Sequence, residues 1–274
     1  MERLISYLVV EGPHDVEFVG RFLKISTLNR VKKLADLDPR FSRLVPKDFP
    51  HQGDLLKRVP VPTFFQNAEH SIAVHSASGI ENLITTASDN LKMIEADVHS
   101  LGFILDRDDT ETVDGRFARL KAAFEECAAG PKLPSQPGEV STGTPRTGVF
   151  ILPDNASAGT LESLLLPAGE VVYPEISTAA RIFVDTVDVS TLVSKDRQDF
   201  EKPCGKAKAT VSAIGSILRP GKAIQVSLQD NQWITENTIQ ALPDLERFSD
   251  FLAALFGFST ASETQDSNQP TLIP

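Results

Sequence analysis

The chain has 274 residues, 41% hydrophobic and 23% charged, which excludes general disorder and supplies apolar material for a sizeable core. Its formal net charge of −10 excludes a protein that coats nucleic acid by bulk attraction, so any polyanion contact has to be local. Cys127 and Cys204 lack CxxC spacing, and the first apolar run is too short for a signal peptide or a membrane span. The expectation is a soluble cytoplasmic protein with reduced thiols and no membrane partner.

Residues 4–10 are continuously apolar and β-prone, as a strand buried on both faces requires, and the run stops at Glu11-Gly12-Pro13. Asp15 onward carries Val16, Val19, Phe22 and Leu23 at helical spacing, which completes the opening of an α/β unit. From 25 to 65 the prolines Pro39, Pro46, Pro50, Pro60 and Pro62 exclude long regular elements, and the segment reads as a basic insertion with short helices. Between Arg21 and Arg58 ten Lys or Arg stand against four acids, a net of +6 that leaves −16 for the remainder. Arg21, Lys24, Arg30, Lys32 and Lys33 are therefore candidate contacts to a polyanion, with a solvated basic face as the alternative.

A second strand is expected at 71–75, and Gly79 then leads Ile80, Leu83, Ile84 and Leu91 into a helix. A third strand, 101–105, ends at Asp106, and Phe117, Leu120, Ala123 and Phe124 stripe the helix after it. Residues 130–147 form a loop, 148–153 a further strand followed by Asp154, and 159–164 the start of another helix. This alternation predicts an α/β, doubly wound, mostly parallel sheet flanked by helices, with functional groups outside the carboxyl ends of the strands. Beyond 170 the pattern suggests a strand at 181–187, a helix at 206–218 and an amphipathic helix at 245–256. The expected organisation is a core over 1–169 with its insertion at 25–65, an α-rich extension over 170–258 packed on that core, and a flexible polar tail at 259–274.

The chemistry concentrates at two of the strand ends. Asp106-Arg107-Asp108-Asp109 places carboxylates where the chain leaves the sheet, a pattern that can turn toward one point and hold a hard cation through oxygen. Without a cation such carboxylates repel one another. Glu11 at the end of the first strand, with Asp15 one turn along the helix, adds two acids at the same sheet edge. An isolated acidic loop accounts for Asp106 and Asp108 alone, but not for both segments together.

Val9-Val10-Glu11-Gly12-Pro13-His14-Asp15, Gly79 opening a helix, and Phe103-Ile104-Leu105-Asp106-Arg107-Asp108 together resemble the Toprim domain over about residues 4–166. That domain is shared by topoisomerases, bacterial primases and nucleases of the OLD (overcoming lysogenization defect) family. Leu152-Pro153-Asp154-Asn155 followed by 159–165 resembles the OLD-like branch, where it supplies a further metal-binding acid, here Glu162. Lys206 and Lys208 in 202–209 resemble the downstream basic element of that branch. The resemblance implies a Mg²⁺- or Mn²⁺-dependent nuclease with two ions, Glu11 and Asp106 serving one and Asp15, Asp108 and Glu162 the other. Lys206 or Lys208 would neutralise phosphate charge, and Arg107 would join the nucleic-acid contacts. It further implies DNA or RNA as substrate and a role in anti-phage defence. No G-x-x-x-x-G-K-[ST] is present, so any ATP dependence needs a partner ATPase subunit. A homodimer is compatible with the pattern. Two rivals stand beside this reading. One is a haloacid dehalogenase-like phosphatase using Asp106 as nucleophile and Asp108 as acid or base, and the other a non-catalytic nucleotide-binding or regulatory subunit.

Overall fold

The computed structural model describes residues 2–47, 60–107, 111–127 and 131–258. Six strands form one sheet: β1 (Leu4–Val10), β2 (Asn29–Arg30), β3 (Thr63–Gln66), β4 (His70–Ser76), β5 (Ser100–Asp106) and β6 (Arg146–Leu152), in the order β2-β3-β4-β1-β5-β6. Strands β4, β1, β5 and β6 are mutually parallel, while β3 pairs antiparallel with both β2 and β4. The apolar runs of β1, β5 and β6 have their cause here, because both faces of the sheet are covered. Leu8, Val10, Ile104 and Phe150 join one hydrophobic cluster, and their alternating neighbours Tyr7, Val9, Phe103 and Val149 join the other.

Helix α1 (Pro13–Ile25) packs on the first face, whereas α2 (Leu83–Leu91) and α3 (Val113–Cys127) cover the second. Chain direction therefore reverses between β1 and β5. The connection leaving β1 turns over the first face toward β4, and the one leaving β5 turns over the second toward β6. Between two such strand ends the loops part and leave a crevice, the usual ligand position in an open α/β sheet. Glu11 follows β1 and Asp106 ends β5, so the crevice opens between these two acids.

The remaining helices are α4 (Leu161–Val172), α5 (Pro174–Asp185), α6 (Ser194–Phe200), α7 (Gly205–Leu218), α8 (Ile224–Asp230), α9 (Glu236–Ala241) and α10 (Pro243–Phe256). The strand expected at 181–187 is a correction: those residues belong mainly to α5. Pro174 starts that helix, Ser177, Ala180 and Val184 form its buried stripe, and the β-prone Ile182 and Phe183 face solvent. The segment expected as a basic insertion with short helices also contributes the edge strand β2 and its neighbour β3. Its residues 48–59 lie outside the described residues, as does the tail expected at 259–274.

Helix α10 returns to the sheet and lays Phe251 and Leu255 over β5 and β6, where glycines admit them. A Cβ at Gly102 would stand 2.6 Å from both Leu255 and Leu8 side-chain atoms, and one at Gly148 would stand 2.8 Å from Phe251. Gly102→Ala is therefore expected to destabilise the protein by about 1–3 kcal/mol through overpacking. Chemical denaturation measures this, and an unchanged midpoint would mean that α10 moves aside freely.

Candidate functional site

Glu11, Asp15, Asp106 and Glu162 line one cavity of about 370 Å³ at the carboxyl edge of the sheet, together with His14 and Lys208. Each is delivered by a definite element. The Asp106 backbone N–H donates to Glu11 Oε2 at 3.2 Å, tying the ends of β1 and β5 together. Asp15 sits in the first turn of α1 and accepts from the Gly12 N–H at 2.7 Å, where the helix amino terminus favours negative charge. Glu162 lies in the first turn of α4, accepting from the Thr160 hydroxyl at 2.6 Å. The neighbouring Leu161 N–H donates to Asp106 Oδ1 at 3.0 Å, which seats the start of α4 on the end of β5. Gly159 makes the approach possible. Its φ is +154°, and a Cβ there would lie 2.5 Å from Ser163 Oγ, within the turn that opens α4.

The acids sense one another. Burial, then Asp15, Glu11 and Glu162, push the Asp106 carboxyl up to about 8, with the Leu161 N–H opposing. Asp15 is pushed up to about 7, by burial first and then by Glu11 and Glu162, against the Gly12 N–H and Lys208. Burial disfavours the Lys208 charge, but Glu162, Cys204 and Asp106 outweigh it and hold its pKa above the ordinary lysine value. The site therefore carries more negative charge than its own residues neutralise. Among the described residues no three His, Cys, Asp or Glu side chains are grouped closely enough to hold an ion as they stand. Asp108 lies outside the described residues.

Not every expected residue arrives. Of the two lysines expected as alternatives, Lys206 does not line the cavity: two residues before Lys208 it faces another way, exposed and paired with Asp185 at 3.0 Å. The basic residues also stand apart from the acids. Arg21 and Lys24 lie six and nine residues along α1 from Asp15, about 9 and 13 Å at helical rise. Arg30 is in β2, three strands from β1 or about 14 Å across the sheet. Arg21 donates to the Gln229 and Ile234 carbonyls at 3.2 and 2.9 Å, and Arg30 pairs with Glu17 at 2.6 Å. Both therefore hold the fold, although with Lys24 and Lys32 they line a separate groove of about 330 Å³. Lys33 is exposed, and Arg107 donates to the Glu111 carbonyl at 3.0 Å. Asp154 is half-buried and turns into its own loop, accepting from the Ala156 and Ser157 N–H groups.

Two residues at or beside the site escaped the sequence. His14 lines the cavity; burial lowers its pKa, Lys208 lowers it further and Glu162 opposes both. Arg116 is buried on α3 with its guanidinium 3.9 Å from Glu11 Oε2. It shares the helical stripe of Val113, Phe117 and Leu120, and a buried arginine calls for a carboxylate.

No curated protein matches the chain. A crystal structure of a hypothetical protein from Pyrococcus horikoshii OT3 is similar at 15% identity and a TM-score of 0.49, covering 92% of this chain and 95% of that one. A protein family described as of unknown function, DUF3226, matches residues 5–257, and the chain belongs to that family.

Proposed function

We propose that the protein is a divalent-metal-dependent nuclease that hydrolyses phosphodiester bonds at the Glu11, Asp15, Asp106 and Glu162 cavity. The observation that carries this reading is the convergence of these carboxylates on the crevice between β1 and β5, with Lys208 at the rim. The donor set is all oxygen, as Mg²⁺ or Mn²⁺ requires, and its charge exceeds what Lys208 and Arg116 offset. The Toprim-like motifs support the same reading, with two ions and with Asp108 as a further donor. A bound divalent ion supplies the positive charge and Lewis acidity that these carboxylates lack in themselves.

The protein's own residues divide the remaining work. Glu11 and Asp106 hold each other's position through the N–H bond across β1 and β5, and the Leu161 N–H orients the second oxygen pair. Lys208 draws the phosphate toward the acids and offsets the charge that builds on it. Water adds to phosphorus, the P–O ester bond breaks, and the departing oxygen takes up a proton.

Plasmid, single-stranded DNA and tRNA incubated with Mg²⁺, Mn²⁺ or EDTA test the proposal. Cleavage is expected only with metal, and cleavage that persists in EDTA would overturn it. Turnover of p-nitrophenyl phosphate without nucleic-acid cleavage would favour a phosphatase instead. Lys24→Ala and Lys32→Ala are expected to weaken nucleic-acid binding and to flatten its dependence on log salt by about 1 each. Filter binding across a salt series measures this, and an unchanged slope would remove the groove from the binding surface.

A further inference from the structure

Apart from Lys208, the wall opposite the acids has no part in the reaction described above. It is built by α7 and α8, which pack on α4 and α1 and lie over the mouth of the crevice. Their side chains Val211, Ser212, Ile224 and Leu228 face the cavity, with Leu165 of α4 beside them. Two of the four carboxylates are recessed, Asp15 at 6% exposed and Glu162 at 7%, while Glu11 and Asp106 are half-buried. A space of about 370 Å³ lies at the small end of the range for ligand cavities, about 300–1,000 Å³.

We propose that this recess admits one unpaired nucleotide at a time, its base against the apolar wall of α7 and α8 and its phosphate between Lys208 and the acids. This inference rests on the phosphodiester-hydrolase reading and names its substrate class. The chemistry divides accordingly. The acids lie on the sheet side, and Lys208 stands at the rim on α7, one turn before Val211, so a phosphate belongs between them. Apart from Ser212 and the rim residue Lys208, the opposite wall is aliphatic, so it rewards burial of a flat, weakly polar base without reading most of its hydrogen-bonding edge. A paired duplex holds each nucleotide stacked between neighbours, and none can enter such a recess until it has been unstacked and swung out. Substrates are thus single strands, frayed ends or unpaired loops, with little preference for base identity.

The test uses the full chain with Mn²⁺ and three substrates in parallel. These are bis(p-nitrophenyl) phosphate, an end-labelled single-stranded oligonucleotide as DNA and as RNA, and the same sequence locked in a hairpin stem with an unpaired flank. The expected result is hydrolysis of the small diester, cleavage of the free strand, and cuts in the hairpin confined to its flank and loop. The stem should be cut roughly 100-fold more slowly or less. Hydrolysis of the small diester with equal cutting of stem and free strand would overturn the recess inference alone. Hydrolysis of none of them with any divalent metal would overturn the nuclease reading, and this inference with it.

Discussion

Asp106→Asn is expected to lower metal-dependent cleavage by about 10³-fold or more while raising the melting temperature of the metal-free protein. The loss follows from removing a charged oxygen donor at the centre of the acidic set, worth several kcal/mol in the transition state. The gain follows from the same charge. Asp106 is held far above its ordinary pKa by burial and by three neighbouring acids, so its ionised form burdens the fold. Asn keeps an oxygen for the Leu161 N–H, removes the charge, and should stabilise the metal-free protein by about 2–3 kcal/mol at pH 8. For a chain of this size that is about 5–10 °C. Asp106→Ala should gain less, because it leaves the Leu161 N–H without its acceptor. Calorimetry in EDTA beside a cleavage assay measures both effects. A melting temperature that falls in both variants would mean that Asp106 serves chiefly as a structural anchor.

Metal-free stability should also decline with pH above neutrality. A carboxyl whose folded pKa lies above its unfolded value stabilises the fold fully below the unfolded value, and that contribution is lost as pH rises through the folded one. Asp15 and Asp106 go from 3.8 to about 7 and about 8, so the loss extends across neutrality. Between pH 7 and 9 the histidines oppose this only slightly, because with an unfolded pKa of about 6.5 they are already mostly neutral in the unfolded chain. Burial lowers the pKa of His14, His70, His75 and His99 in the fold, which leaves them neutral in this range. The expected fall over that interval is about 2 kcal/mol, or about 5 °C. Millimolar Mg²⁺ or Mn²⁺ should reduce the decline, because the ion stabilises the ionised carboxylates and so favours the folded state where it binds. A flat profile in EDTA would show that the acids do not share one environment.

Much of the sheet was legible because β1, β5 and β6 are buried on both faces and carry apolar runs, while β4 was marked by a short alternation at 71–75. Strands β2 and β3 were not, since Asn29–Arg30 and Thr63–Gln66 are too short to carry a periodic signal and are specified by pairing with β4. The helix α5 was misread because Ile182-Phe183-Val184 has local β propensity, while tertiary packing of Ser177, Ala180 and Val184 decides the outcome. At the site, Glu11, Asp15, Asp106 and Glu162 could be found because each stands at a strand end or helix start. Lys206 and Lys208 could not be separated from sequence alone, since only the seating of α7 on α4 brings one to the cavity rim and leaves the other to Asp185. The basic residues were identified as a group, but the group's distance from the acids depends on the length of α1 and the order of the sheet.

The covering of the acids by α7 and α8 also orders events during synthesis. Glu11, Asp15, Asp106 and Glu162 leave the ribosome before residue 205, whereas Lys208, both covering helices and α10 follow. At about 5–20 residues per second the interval from Glu162 to the end of α10 lasts several seconds. Throughout it the nascent chain presents its carboxylates without Lys208 and without the wall that restricts access to them. On the proposed reading, competence and selectivity would arrive together, late in translation, and a chain stopped short of 205 would carry the acids with neither.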